Sequence, residues 1–432
     1  MRIVLDLQAC QSENRLRGMG RYSLALAKEM AQQASNHEVW IALSSQFPDT
    51  VEELRVAFDG LVPQNRIVTW SAPGPVAGHA PENRPRRQAA ECLREAFLAS
   101  LNPDIVHVAS LFEGYTDDAV TSIGAFDGTH PNAVTLYDLI PLVLQDLYLK
   151  HPPYREWYFN KIEQLKRARL WLAISENSRK DAIELLGLPE HRVVNISTAA
   201  DAIFKPMKLS REQETALRAR FGINRPFVMY TGGIDHRKNI EGLIAAYAQL
   251  PSNVRSAHQL VIVCKTSPGD RKRLEALARK AGLAQGELVL TGFVSDEEMV
   301  ALYNLTRLFV FPSWYEGFGL PALEAMSCGA AVIGSDATSL PEVIGREDAL
   351  FDARNEDSIA AKMQQVLSDS NFQADLCRHA AVQSKRFSWS ENARRALDAF
   401  EAMHAANRQS RAWLSFRRFP RNDPASPITV RS

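Results

Sequence analysis

Two glutamates flank a glycine-rich turn in the second half of the chain. The stretch reads Glu316-Gly317-Phe318-Gly319-Leu320-Pro321, and Glu324 follows inside a predicted helix. Free amides at a helix N-terminus, together with the helix dipole, favour an anion, so the amides of Phe318, Gly319 and Leu320 are predicted to bind a phosphate. A carboxylate such as Glu324 can accept two hydrogen bonds from a vicinal diol such as a ribose. The alternative is that both glutamates are ordinary surface carboxylates.

Two adjacent cations stand in a second loop, which runs from Gly232 to Asn239 between a predicted strand and a predicted helix. Arg237 and Lys238 precede the helix, where two positive charges suit a diphosphate. Gly233 lets a ligand approach the backbone, and Asn239 is the expected N-cap. The alternative is that this Arg-Lys pair is only a solvated part of a surface loop.

The first stretch belongs to a longer pattern with a known counterpart. The pattern is Pro312-Ser313-x-x-Glu316-Gly317-Phe318-Gly319-Leu320-Pro321-x-Leu323-Glu324-Ala325-Met326-x-x-Gly329. It resembles the signature of the family-4 retaining glycosyltransferases, and further motifs extend the resemblance to about residues 1–400. The resemblance implies that Arg237 and Lys238 contact the donor diphosphate and offset the charge growing on the leaving nucleotide. It also implies that Glu324 binds the ribose, that Glu316 contacts the transferred sugar, and that neither a metal nor a cofactor is needed.

The first half of the chain carries the residues expected to complete the site. Gly18, Gly20 and Arg21 follow the first predicted strand, where the family places a glycine loop that closes over the donor phosphates. A lone Gly-x-Gly is weak evidence by itself.

Tyr137 and Asp138 end a later strand, and many relatives have His-Asp at this place. Asp138 is the expected acceptor-orienting group or weak base; the alternative is a structural aspartate. Tyr137, His107 and Arg21 are candidate contacts to the sugar or acceptor. A structural role is the alternative for His107.

The elements that must position these residues alternate between short apolar runs and helical patterns in both halves. Such alternation predicts parallel α/β sheets. Two Rossmann-like, doubly wound domains that face an interdomain cleft are therefore expected. The resemblance to the family-4 glycosyltransferases implies that this fold class is GT-B. We expect the acceptor-side domain at residues 1–200, a linker at 201–225 and the nucleotide-sugar domain at 226–395. A C-terminal helix at 396–416 is expected to return to the first domain, and residues 417–432 form a basic tail.

Composition limits the function and the location of the protein. The 432 residues carry 50 basic and 50 acidic side chains, which argues against nucleic-acid binding. The five cysteines form no CxxC pair, and residues 1–7 lack the features of a signal peptide, so the cytoplasm is expected. The arginine-rich tail, with Arg411, Arg417, Arg418 and Arg421, suits peripheral contact with an anionic membrane, or is incidental.

Donor and acceptor are predicted from resemblance alone. The segments at 111–115 and 137–141 are similar to those of bacterial mannosyltransferases that build O-antigen or exopolysaccharide, so GDP-mannose and a glycan or lipid-linked acceptor are expected, with other polysaccharide-assembly enzymes as partners. Another nucleotide-sugar donor such as a UDP-sugar, a sugar-nucleotide epimerase, a phosphorylase and a non-catalytic sensor remain alternatives. A glycosidase that uses Glu316 and Glu324 is disfavoured, because a neutral glycoside leaves nothing for Arg237 and Lys238 to bind.

Overall fold

The computed structural model describes residues 1–126 and 131–416, with side chains only as far as residue 408 in the last helix. The predicted basic tail, residues 417–432, lies outside the described residues, as do the side chains of residues 409–416. In the part of the chain that is described, no helix has the length and apolar character needed to cross a membrane.

A parallel sheet of seven strands forms the centre of the first domain. The strands are β1 (Arg2–Asp6), β2 (Glu38–Ser44), β3 (Ile67–Trp70), β4 (Ile105–Val108), β5 (Asn132–Leu136), β6 (Leu170–Ala173) and β7 (Val193–Asn195). Their order across the sheet is β3-β2-β1-β4-β5-β6-β7. The inner strands are buried on both faces, which explains their nearly continuous apolar sequence. The order changes direction between β1 and β4, and ligands bind at the carboxyl ends of such neighbouring strands.

Helices cover both faces of this first sheet. They are α1 (Gly18–Gln33), α2 (Pro48–Ala57), α3 (Arg84–Ser100), α4 (Ile140–Val143), α5 (Gln145–Tyr148), α6 (Pro152–Leu165) and α7 (Glu176–Leu186). The predicted linker then contains a helix of its own, α8 (Arg211–Phe221), which begins with a capping box between Ser210 and Gln213.

The second domain has a parallel sheet of six strands. They are β8 (Phe227–Thr231), β9 (Gln259–Val263), β10 (Leu288–Leu290), β11 (Leu308–Phe311), β12 (Val332–Ser335) and β13 (Leu350–Phe351), in the order β10-β9-β8-β11-β12-β13. The helices are α9 (Ile240–Ala248), α10 (Ser252–Ala257), α11 (Pro268–Lys280), α12 (Asp296–Leu305), α13 (Leu320–Ser327), α14 (Leu340–Ile344), α15 (Glu356–Ser368) and α16 (Ser370–Gln383). The predicted GT-B architecture is confirmed.

The last described helix, α17 (Trp389–Phe416), begins before residue 396, where the sequence analysis expected its start. It packs along α1. The Trp389 ring meets the Tyr22 ring with centroids 5.2 Å apart, and Gln33 Nε2 donates to the Ser390 carbonyl at 3.0 Å. The chain therefore crosses between the domains twice.

Candidate active site

The carboxylate of Glu316 lies between the two predicted phosphate-binding cations. Lys238 Nζ donates to one carboxylate oxygen at 2.6 Å, and Arg237 Nη1 donates to the other at 3.0 Å. Glu316 is 6% exposed. Burial alone would raise its pKa, but the charges of Lys238 and Arg237 hold that pKa below its ordinary value. The structure thus brings these three predicted residues into one charged cluster.

Neighbouring residues fix the position of Arg237. The Asp235 carboxylate accepts from the Arg237 amide at 3.1 Å, and it also accepts from the Tyr148 hydroxyl of the first domain at 2.6 Å. The Arg237 carbonyl accepts from the Trp314 amide at 2.8 Å. Sequence reasoning missed Asp235 and Tyr148, and only the position of Asp235 in the cation loop offered a signal.

Asn239 supports the same loop in an unexpected way. It adopts a left-handed backbone conformation with φ of 55°, and its side chain makes no capping bond to α9. Its amide instead donates to the carbonyls of Ala353 at 2.7 Å and Pro312 at 3.3 Å. Asn239 is thus the N-cap residue of α9, as expected, but its side chain ties the cation loop to the end of β11 and does not cap the helix.

Gly317 lies against the first domain. A Cβ atom on Gly317 would stand 2.9 Å from both Cβ and Oδ2 of Asp138, so only glycine fits. The Gly317 carbonyl accepts from Ser175 Oγ at 2.6 Å and from Ser178 Oγ at 3.2 Å. Burial raises the pKa of Asp138, and the nearby Arg237 charge opposes that shift. Asp138 thus lies close to the cluster of Glu316, Arg237 and Lys238, on the other side of the cleft. For the two serines, the Ser-x-x-Ser spacing was the only signal in the sequence.

The start of α13 has the geometry expected of an anion site. Gly319 has φ of 100°, where a Cβ would also meet the Leu340 side chain at 2.5 Å. Leu320 is the first helical residue, and Pro321 stands in the first turn. Among the described residues, no acceptor takes the amides of Phe318 or Gly319. The Phe318 ring is buried against the Phe387 ring, so this residue contributes its backbone rather than its side chain.

Glu324 stands apart from the charged cluster. Its carboxylate accepts from the Tyr303 hydroxyl at 2.9 Å. Burial raises the pKa of Glu324 to about 7, although the Tyr303 hydrogen bond and the Arg21 charge act in the opposite direction. Such a half-buried carboxylate changes its charge near neutral pH and can accept the hydroxyls of a diol when ionised.

The residues of the glycine loop at the start of α1 have different surroundings. A Cβ on Gly20 would meet the Arg15 backbone at 2.5 Å, so Gly20 allows the loop to fold closely onto the helix. Gly18 is the first residue of α1, and a Cβ there would meet no atom within 4 Å. Arg21 is exposed and pairs with Asp296 of the second domain at 3.2 Å. Arg21 thus reaches across to the second domain, Gly18 is exposed, and Gly20 serves packing.

Two of the candidate sugar contacts, Tyr137 and His107, have hydrogen-bond partners within the first domain. The Tyr137 hydroxyl donates to the Met19 carbonyl at 3.1 Å and shares a 2.8 Å hydrogen bond with Ser23, so it holds α1 rather than a ligand. His107 is 3% exposed, and its Nε2 lies 2.9 Å from Thr135 Oγ1. Burial lowers the pKa of His107 to about 4. Both polar groups therefore have partners within the first domain, and their contact with a sugar stays a prediction.

The two parallel sheets, together with the cluster of Glu316, Arg237 and Lys238 between the domains, define a two-domain glycosyltransferase of the GT-B type. Residues 213–396 match the family model described as "Glycosyl transferases group 1", and residues 16–202 match "Glycosyltransferase Family 4". The "O-antigen chain mannosyltransferase B" of Escherichia coli is 30% identical over 392 residues, which cover 90% of this chain and 97% of that protein. This chain belongs to the family-4, group 1 glycosyltransferases.

A second Escherichia coli relative, "Serotype-specific mannosyltransferase WbdA", is 38% identical over 413 residues, or 95% of this chain. The chain spans about half of that relative's length, namely 49%. Two solved structures share the fold. Sucrose-phosphate synthase from Thermosynechococcus elongatus has a TM-score of 0.66 at 20% identity, with 94% of this chain and 100% of that chain covered. WaaG, titled a glycosyltransferase involved in lipopolysaccharide biosynthesis, has a TM-score of 0.62 at 16% identity, with 92% and 99% covered.

Proposed function

We propose that this protein transfers mannose from GDP-mannose, with retention of the anomeric configuration, onto a growing cell-surface glycan. The observation that carries the proposal is the cluster of Glu316, Arg237 and Lys238, which faces Asp138 across the cleft. The relatives named as mannosyltransferases of O-antigen chains support the choice of sugar and product.

The second domain supplies the charge that the donor requires. In the proposal, Arg237, Lys238 and the free amides at the start of α13 bind the diphosphate and stabilise negative charge as its bond to the sugar breaks. These groups do the work that a divalent cation does in other transferases. Glu316 holds both cations in place before the donor binds, and the phosphates then compete for them. The released carboxylate accepts hydroxyl groups of the sugar, while Glu324 accepts those of the ribose.

The first domain supplies the acceptor. The acceptor hydroxyl attacks the anomeric carbon as the bond to the phosphate oxygen breaks, and its proton passes to Asp138 or to the departing phosphate. The raised pKa of Asp138 suits a group that takes up a proton. Contact between Gly317 and the first domain closes the cleft, and a closed cleft excludes the water that would hydrolyse the donor.

The proposal places the enzyme in the cytoplasm at the inner face of the membrane, where a lipid-linked acceptor and other polysaccharide-assembly enzymes are within reach. Its support is the arginine-rich sequence that follows α17. The full chain should co-sediment with liposomes that contain anionic lipid, and a chain shortened after residue 416 should remain in the supernatant. Equal sedimentation of both would remove the membrane contact from the proposal.

Acceptor-dependent release of nucleoside diphosphate tests the reaction. GDP-mannose should release GDP only when a mannose-terminated acceptor is added, and nuclear magnetic resonance of the product should show the anomeric configuration of the donor. Transfer from a UDP-sugar in place of GDP-mannose would overturn the donor assignment. A requirement for inorganic phosphate would indicate a phosphorylase, and isomerisation of the donor without any acceptor would indicate an epimerase.

A further inference from the structure

A cavity of about 340 Å³ lies beside Asp138 on the first-domain side of the cleft. Besides Tyr137, its walls contain five aromatic side chains: Phe112, Tyr115, Tyr154, Trp157 and Tyr158. We call it the aromatic cavity. Its volume is within the range of about 300–1,000 Å³ that small-molecule sites occupy. None of the residues assigned above to the donor lines it, whereas Asp138, which is assigned to the acceptor, does.

Helix α6 presents the aromatic side chains together. Tyr154, Trp157 and Tyr158 are spaced by three and four residues and therefore share one face of the helix. The rings of Tyr154 and Trp157 are nearly parallel, at 22°, with centroids 5.7 Å apart. The Tyr115 ring meets the Tyr154 ring edge-on at 4.9 Å. Flat aromatic surfaces suit the C–H face of a pyranose ring, because stacking removes apolar surface from water and leaves the hydroxyls at the rim.

The charge of the aromatic cavity limits what it can bind. Among the described residues that line it there is no lysine or arginine, whereas Glu13 and Asp138 are both present. Glu113 adds a further carboxyl group just behind the wall, where it accepts from Ser110 Oγ at 2.8 Å and from Asn14 Nδ2 at 2.9 Å. Carboxylates accept hydrogen bonds from sugar hydroxyls but repel a phosphate.

The cations of this region line a different cavity. That second cavity has a volume of about 430 Å³ and includes Arg84, Arg87 and Lys161 among its walls. Trp157 lines both cavities, so its ring stands at their boundary. A phosphorylated sugar beside Asp138 would therefore lack a cationic partner in the aromatic cavity itself.

We infer that the aromatic cavity binds the terminal pyranose of the acceptor, and that this acceptor terminus is a neutral, unphosphorylated glycan. The inference rests on the proposed function, because it takes Asp138 as the group that receives the acceptor hydroxyl. Tyr115 and Tyr154 stack on the sugar ring, and Glu13 and Asp138 accept its hydroxyls. Selection of the acceptor thus depends on ring stacking and on the absence of a cation.

Binding and transfer kinetics test this inference. With GDP added to occupy the proposed diphosphate site, methyl α-mannoside should bind the native protein, and mannose 6-phosphate should bind at least about tenfold more weakly. In transfer to a neutral oligomannoside, Tyr154→Ala should raise the KM for the acceptor about tenfold and leave the KM for the donor unchanged. Tyr154→Phe retains the ring and should recover most of the acceptor affinity.

Phe159→Ala is the matched control, because Phe159 is on the same helix but outside the cavity walls. Tyr115→Ala is the second variant, and it tests the same cavity if Tyr154→Ala folds poorly. An unchanged acceptor KM in both tyrosine variants, with transfer intact, would overturn the inference and leave the proposed function standing. Equal or tighter binding of mannose 6-phosphate would overturn it as well. Binding of methyl α-mannoside without transfer from any nucleotide sugar would instead contradict the proposed function.

Discussion

Gly317 of the second domain and Asp138 of the first are in direct contact across the cleft, with only 2.9 Å between Oδ2 of Asp138 and the position that a Cβ on Gly317 would take. The contact joins the loop that carries Glu316 to the residue expected to receive the acceptor. The same short backbone segment therefore takes part in the contact between the domains and carries Glu316 of the candidate site.

Gly317→Ala should reduce turnover strongly, because the added methyl group would push Asp138 and the Glu316 loop apart. We expect a loss of about 10²-fold, the scale of a small misplacement of reacting groups. Steady-state kinetics measure it. Gly269→Ala is the control, since a Cβ there would meet only Ser267 Oγ at 3.7 Å. If Gly317→Ala retained native turnover, closure would not require this contact.

Replacement of both cations by alanine, at Arg237 and Lys238, should lower kcat by about 10²–10³-fold, because the leaving diphosphate would lose its counter-charges. Glu316 would also lose both partners, so its pKa should rise above the ordinary value. Turnover and thermal melting are measured together, so that a folding defect is recognised. Lys272→Ala, which changes an exposed lysine of α11, is the control. A near-native kcat in the folded double variant would contradict a role of Arg237 and Lys238 in electrostatic catalysis.

Glu324→Ala should weaken GDP binding by about 1.5–3 kcal/mol, the scale of a hydrogen bond to a charged group. The native protein should also bind GDP more tightly at about pH 8 than at about pH 6. The reason is that the Glu324 carboxyl group, with a pKa of about 7, must ionise to accept the ribose hydroxyls. Titration calorimetry measures both effects. Unchanged affinity in the variant would contradict the ribose assignment.

The same carboxyl group should affect stability in the ligand-free protein. Its pKa is about 7 in the folded state and 4.5 ordinarily, so the folded state holds the proton more tightly. Its contribution to stability is therefore full below about pH 4.5 and is lost as the pH rises to about 7. Glu324→Gln cannot lose a proton, and its melting temperature should fall less than that of the native protein between these pH values. Parallel curves for the two proteins would show that this pKa is not raised.

Local patterns in the sequence were sufficient to predict most of the fold. Continuous apolar runs indicate the buried parallel strands, and the Ser-x-x-Glu pattern of Ser295 and Glu298, which forms a capping box, marks the start of α12. The sequence did not indicate β7 or β13, and the two residues of β13 are too few to show a pattern.

Contacts distant in sequence determined the rest. The hydrogen bond from Tyr148 to Asp235 joins two domains, and nothing in either segment indicates the other. The spacing of Tyr154, Trp157 and Tyr158 is equally typical of a helix face packed in a core. His107 is enclosed in the first domain, which fits the structural role that the sequence left open, because the end of a strand can point into the domain as well as toward the cleft.

The packing of α17 on α1 has a consequence for synthesis. The inner face of α1, with Leu26, Ala27 and Met30, is buried in the finished protein, and Phe400 of α17 is fully buried as well. Domains usually fold in order as they emerge from the ribosome. Here the domain formed by β1 to β7 is made before the domain formed by β8 to β13, but it is completed only when α17 packs on α1. A nascent chain that ends before Trp389 therefore leaves part of the apolar surface of α1 exposed to chaperones and proteases.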